Sequence, residues 1–195
     1  MSNSEEEFIS ERELISRFLK SLRRYRYETY LHSLRVAKIS EGIAKVLGLD
    51  LKNQIYIYKG GLLHDIGKTK IPNCILTKPY KLTKEEYDII KVHPQYGAEM
   101  LKIFLNMRYL IPPVLYHHEK PDGSGYPYGI KNIPLSAQII SVSDSFDAMT
   151  TERPYNKLKS VDQALDELKS MPDKYNIIIV NALEDYINYY VKHKC

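Results

Sequence analysis

Apolar residues recur along this chain at spacings of three and four, and strand-like alternation is nearly absent. Phe8, Ile15, Phe18, Leu19 and Leu22 form one stripe, which predicts a helix over roughly residues 5–24. A second helix is expected from about Glu28 to Leu47, stopped by Gly48 as a C-terminal glycine. Leu51, Ile55, Tyr58 and Leu62 stripe a third, ending at Ile66 where Gly67 breaks it. Gly60 and Gly61 inside that helix cost about 1 kcal/mol each against alanine, a cost best understood where another backbone packs close. Thr83-Lys84-Glu85-Glu86 reads as a capping box for a helix through Lys91. Pro94 suits a first helical position, so His93 stands at the mouth of a helix over about 94–105. Residues 111–118 are expected to be helical after Pro112-Pro113, and 119–133 to form a loop rich in glycine and proline. Further helices are expected over about 135–150, 161–170 and 177–192. The pattern predicts a single all-α domain: residues 1–26 an N-terminal helix that caps it or pairs two copies, residues 27–195 the body.

Composition narrows the class. The 195 residues suffice for one well-filled core, and 44% hydrophobic with 27% charged residues is ordinary for a globular protein. No apolar run approaches the roughly 18 residues that span a bilayer, so no membrane association is expected. Met1 to Glu7 is polar and acidic, unlike a secretory signal. Cys74 and Cys195 lie far apart with no CxxC pair, which argues against a disulfide framework or a zinc ribbon and points to a cytoplasmic protein. The net charge of +4 is mild. Its tightest cluster, Lys20, Arg23, Arg24 and Arg26, reads as a solvated helix face, with an anionic ligand as the alternative. No nucleic-acid-binding motif accompanies it, so no DNA or RNA polymer is expected as partner.

The polar residues on apolar faces carry the chemistry. Glu28 and His32 are four apart and share one helix face. His64-Asp65 follows Leu62-Leu63, His93 marks a helix start, His117-His118 a helix end, and Asp144 follows the apolar run Ile139-Ile140-Ser141-Val142. Each has a bland reading: His32 as a hydrogen-bonded core histidine, His64-Asp65 as a helix-end charge pair, Glu28 as a surface partner of Arg24 or Arg26. Together they form a set of nitrogen and oxygen donors with at least two carboxylates, a composition suited to a multinuclear divalent centre. Asp65 can bridge two ions, as an imidazole cannot.

HDIGK at 64–68, HHEKPDGSGYP at 117–127 and SDSFDAMTTERPY at 143–155 then make the resemblance specific. With YLHSLRVA at 30–37 and HPQYGAEML at 93–101, they resemble, in order from about residue 27 to 157, the HD-GYP branch of the HD metal-dependent phosphohydrolases. The resemblance implies an HD-type helical domain with its metal site in the helical core. It implies His32, His64, Asp65, His93, His117, His118 and Asp144 as metal ligands, with Asp65 bridging and Glu28 the carboxylate that supports a third ion in some members. Two or three divalent ions are implied, iron or manganese foremost, with zinc and cobalt also compatible. Lys68 would neutralise a phosphate oxygen, Arg153 would hold the nucleotide, and Tyr126 would line its site, with Gly123 and Gly125 letting the loop turn tightly. Where the family commonly carries a basic residue after the RPY triplet this chain has Asn156, and Lys157 would supply that contact by a shift in the turn. An FDP-like element before the last helix is replaced by Tyr175-Asn176-Ile177.

The expected activity is hydrolysis of cyclic di-GMP to linear pGpG and onward to GMP, with Asp65 and Lys68 catalytic. Two divalent ions about 3.5–4 Å apart supply a nucleophile at neutral pH and clamp the phosphate for in-line attack. The alternatives are a low-turnover module that binds metal and cyclic dinucleotide and signals to a protein partner through the GYP loop, or a hydrolase of another cyclic dinucleotide or a mononucleotide. The GYP loop argues against mononucleotides.

Overall fold

Ser10 caps the first helix: its hydroxyl accepts from Glu13 N at 3.2 Å, and α1 runs Glu11–Tyr25. The structure, a computed structural model, describes residues 9–152 and 158–192, with side chains described as far as Tyr189. α1 therefore starts later than periodicity predicts, because Ser10 supplies the cap, and Phe8 lies outside the described residues. Leu14 and Leu22 bury the inner face of α1.

After a break at Arg26, α2 spans Tyr27–Val46, and α3, capped by Asp50, spans Leu51–Leu63. These two helices touch at Gly61, where a Cβ would fall 2.7 Å from the Ala37 Cα. The expected close backbone is thus found at Gly61. At Gly60 the neighbour is instead a side chain, Pro113, with its Cβ 2.8 Å from where a Cβ would stand.

The third helix ends at Leu63, not Ile66. The chain tightens there into a 3-10 turn, Ile66–Lys70. Gly67 explains the change: a Cβ on it would lie 1.9 Å from the His93 carbonyl oxygen, so the turn lies directly on the next helix start. After a short α4 (Asn73–Leu76), α5 (Lys84–Ile90) opens on the reciprocal Thr83–Glu86 capping box that the sequence predicts. α6 (His93–Lys102) carries Pro94 in its first turn. A 3-10 turn (Leu105–Leu110) leads into α7 (Ile111–Tyr116). α8 (Leu135–Thr150), α9 (Val161–Lys169) and α10 (Ile177–Lys192) complete the array, and no strand occurs among the described residues.

Two apolar clusters hold it together. Ile43, Ile57, Val142, Leu168 and Leu183 join α2 and α3 to α8, α9 and α10. Leu14, Ala37, Leu63, Leu101 and Val114 join the same two helices to α1, α6 and α7. α2 and α3 are common to both clusters. Among the described residues no helix is long and apolar enough to cross a membrane.

Candidate metal centre

Five elements deliver the candidate ligands: His32 from α2, His64-Asp65 from the end of α3, His93 from the start of α6, His117-His118 from the end of α7, and Asp144 from α8. The structure brings all seven together. Ligand atoms of His93, His117 and His118 lie within 4.8 Å of one another, and so do those of His32, His64 and Asp144. His64, Asp65 and His117 form a third such group that links the two. Asp65 is fully buried and its two oxygens face different ways. Oδ1 lies 3.2 Å from His93 Nε2, while Oδ2 lies 3.5 Å from His64 Nε2 and 3.8 Å from His32 Nε2.

One local device aims three of the imidazoles. His64 Nδ1 stands 2.8 Å from the Gly61 carbonyl, His93 Nδ1 2.8 Å from that of Ile90, and His117 Nδ1 2.8 Å from that of Val114. In each case the partner is three residues back, at a helix end or turn where carbonyls lack helical partners. Donation from Nδ1 leaves the lone pair on Nε2, the tautomer a metal ligand needs. Two polar atoms in the cluster, His64 Nε2 and Asp65 Oδ1, are buried without a hydrogen-bond partner. Such orphans are costly, and a bound cation would satisfy both. The residues present therefore fit a divalent pair.

The electrostatics agree. Burial pushes His64 below the ordinary imidazole range. His117 and His118 lie well below it, from burial first and then from neighbouring imidazoles. Burial alone would raise Asp65, but Lys68, His64 and His93 hold it well below the usual carboxylate range. Asp144 is likewise held well down against burial, chiefly by its contact with His32 at 3.0 Å. Neutral imidazoles and ionised carboxylates are the ligand forms that receive a cation. His32 departs from this, because against burial its contacts with Asp144 and Asp147 raise it, and a bound cation would have to displace its proton.

His32 has a different anchor. Its Nδ1 lies 2.6 Å from Asp147 Oδ2, and Arg35 grips the same carboxylate with Nε at 2.6 Å and a second nitrogen at 3.0 Å. Against burial, these two partners bring Asp147 down to about 2. Sequence reasoning assigned it no role. The available signal was paired spacing: Asp147 is three residues after Asp144, and Arg35 three after His32. Asp147→Asn is expected to weaken metal binding about 10–100-fold while leaving the helical content unchanged, because an amide nitrogen turned toward Nδ1 favours the wrong tautomer. A manganese competition titration checks this, and unchanged affinity would refute it.

The remaining predicted residues fall out as follows. Glu28 does not join the cluster: its side chain is 76% exposed and stands 3.8 Å from an Arg26 nitrogen, drawn there by the guanidinium at the start of α2. Lys68 donates to Asp65 Oδ2 at 2.7 Å, from the same 3-10 turn. Tyr126 stacks on His118 with ring centroids 4.5 Å apart, and burial pushes its phenol well up. Arg153 and Lys157, with Asn156, lie outside the described residues.

A second residue that the sequence did not flag holds the loop over His118. Glu119 is buried, and its two oxygens accept from Tyr128 N at 2.7 Å and Ile130 N at 3.1 Å. Tyr126 N bonds back to the His118 carbonyl at 3.2 Å. Gly125 permits this closure, since a Cβ there would sit 2.4 Å from Lys120 N, and Gly123 takes φ +83°. The tight turn expected at these glycines is present at Gly123, whereas Gly125 serves the close approach of backbone to backbone. Lys120 points inward as well, its ammonium 2.8 Å from Ser141 Oγ and 4.0 Å from the Tyr175 ring centre. Burial lowers it to about 8. Tyr175, which stands in place of the FDP-like element, also shares a hydrogen bond with Ser145 at 2.9 Å.

The family model described as "HD domain" matches residues 9–177. A cyclic di-GMP phosphodiesterase of Thermotoga maritima is 38% identical over 192 residues, covering 93% of this chain and 52% of the relative. A 3'3'-cGAMP-specific phosphodiesterase of Vibrio cholerae is 39% identical over 136 residues, covering 69% of this chain and 30% of the relative. The chain thus spans about half of the first relative's length and under a third of the second's. Among solved structures, an HDG"Y"P protein from Bdellovibrio bacteriovorus superposes with a TM-score of 0.66 at 24% identity, covering 80% of this chain and 51% of that one, a likeness of fold.

Proposed function

The chain belongs to the HD-domain family, and on that footing we propose that it is a metal-dependent phosphodiesterase that opens cyclic di-GMP to linear pGpG and then yields GMP. The observation that carries the reading is Asp65, buried between two groups of imidazoles with one oxygen toward each. Similarity to a cyclic di-GMP phosphodiesterase along 93% of the chain supports the substrate class.

A divalent pair held by these residues supplies Lewis acidity at the phosphate and a water nucleophile at neutral pH. The chain's own part is to prepare that charge. Helix-end carbonyls fix three histidines with Nε2 inward, and Asp147 fixes the fourth. Lys68 balances Asp65 and is placed to share its charge with a phosphate oxygen as negative charge develops there. Tyr126, stacked on His118 and held by the Glu119 loop, lines the nucleotide's path, and the roles of Arg153 and Lys157 in holding the nucleotide rest on the family resemblance of the sequence. Water adds at phosphorus and the bond to O3' breaks, leaving a 5'-phosphate and a free 3'-hydroxyl. Iron or manganese suits this nitrogen and oxygen set, and zinc or cobalt also binds it. The exposed position of Glu28 favours two ions over three.

A second reading, hydrolysis of 3'3'-cGAMP, is favoured by the 39% identity to a phosphodiesterase specific for it. Anaerobically purified protein loaded with iron or manganese is expected to convert cyclic di-GMP to pGpG, resolved by chromatography beside 3'3'-cGAMP. Faster turnover of 3'3'-cGAMP would transfer the assignment to the second reading. Nucleotide bound at full metal occupancy with no linear product would replace the enzyme with a binding module.

A further inference from the structure

The basic cluster of α1 does not face open solvent alone. Among the described residues, α1, the end of the 3-10 turn Ile66–Lys70 and Met100 of α6 border an open groove of about 630 Å³, and none of the metal-cluster residues lines it. Arg17, Lys20 and Arg24 reach it from one face of α1, at spacings of three and four, and Lys70 faces them from the turn. Tyr25 lines it from α1 and Thr69 from the turn. Both are pinned: the Tyr25 hydroxyl donates to the Ile71 carbonyl, and Thr69 Oγ1 donates to the Ile66 carbonyl at 2.8 Å.

Arg17 is paired with Glu13 at 2.7 Å. Lys20, Arg24 and Lys70 have no ion pair among the described residues, so three like charges line one groove with no carboxylate partner among those residues. Complementing the helix dipole accounts for Arg23 and Arg24 in the last turn of α1. It does not account for Lys20 a turn earlier, or for Lys70 across the gap. Arg23, moreover, is occupied elsewhere, over the Tyr27 and Tyr30 rings at 5.8 and 5.9 Å.

We propose that this groove is a second ligand site, one that binds a nucleotide through a terminal phosphate monoester. Guanidinium and ammonium groups are the donors a phosphate dianion takes. The volume falls within the roughly 300–1,000 Å³ typical of small-molecule sites. Tyr25 offers an aromatic wall beside the charges for the base. The site also shares a five-residue turn with Lys68, which holds Asp65, so a ligand there touches the segment that supports the metal centre.

The inference stands apart from the phosphodiesterase reading, because binding is measured directly and no turnover is needed to decide it. Equilibrium dialysis of the metal-loaded protein against GMP, guanosine and inorganic phosphate is the test, with the K20E/R24E double variant alongside. These side chains are exposed, and an unchanged circular dichroism spectrum confirms that the variant folds. The expected result is saturable GMP binding, at least tenfold weaker for guanosine and for phosphate alone. Charge reversal is expected to lower the affinity of one equivalent of GMP at least tenfold, and K70E alone to lower it in the same direction. GMP binding that is untouched by charge reversal, that never saturates, or that inorganic phosphate matches would overturn the proposal.

Discussion

Asp65→Asn is expected to reduce the bound metal from two ions per chain to one and to lower hydrolysis about 10³-fold. Asp65 is the carboxylate that reaches both groups of imidazoles, Oδ1 toward His93 and Oδ2 toward His64 and His32. An amide keeps one acceptor oxygen and turns a donor NH₂ toward the other group, where a cation would have to sit. It also removes the charge that balances Lys68. A metal ion supplies several kcal/mol of transition-state stabilisation, so the loss of one costs about three powers of ten. A thermal readout separates this from damage to the fold. Metal at 100 times its dissociation constant stabilises the folded chain by about 2.7 kcal/mol. The midpoint of the unmodified protein should therefore rise when manganese is added, and that of Asp65→Asn should rise clearly less. Two ions retained by the variant in metal analysis would show that Asp65 does not bridge.

The convergence of His32, His64, Asp65, His93, His117, His118 and Asp144 was legible because histidine is scarce here, and five of the six stand at helix ends or on apolar faces. What the sequence could not show was which atoms aim them. Asp147 finds Arg35 across 112 positions, and Glu119 is satisfied by backbone N–H groups of its own loop, partners that leave no pattern in side-chain polarity. Helices were legible where an apolar stripe lasts several turns, as in α2, α8 and α10. They were less so where a contact decides. α3 stops three residues early because the chain must lie on α6, and neither α4 nor the turn Leu105–Leu110 is long enough to show a period. The basic face of α1 is solvated as its sequence predicts, but its neighbour Lys70 stands 46 positions beyond Arg24 and leaves no local pattern.

Gly67→Ala should be the most damaging single methyl in the chain. A Cβ there would lie 1.9 Å from the His93 carbonyl oxygen, 2.6 Å from Gly97 N and 2.9 Å from the His93 carbonyl carbon. All three are backbone atoms, so no rotamer change relieves the clash and the turn must lift away from α6. Overpacking of this kind costs about 3 kcal/mol, which corresponds to a fall of about 6–12 °C in Tm for a chain of this size. Alanine's better helix propensity, worth about 1 kcal/mol, is too small to offset it. The damage should also reach the metal centre by a particular route. Lifting the turn separates Asp65 from His93, now 3.2 Å from Oδ1, while His32, His64 and Asp144 keep their mutual distances. Metal titration of the variant, held well below its lowered Tm, should then show one site weakened more than the other. An unchanged Tm would mean that the turn and α6 are not in contact at Gly67, and equal weakening of both sites would mean that the methyl loosens the whole array, not the junction between Asp65 and His93.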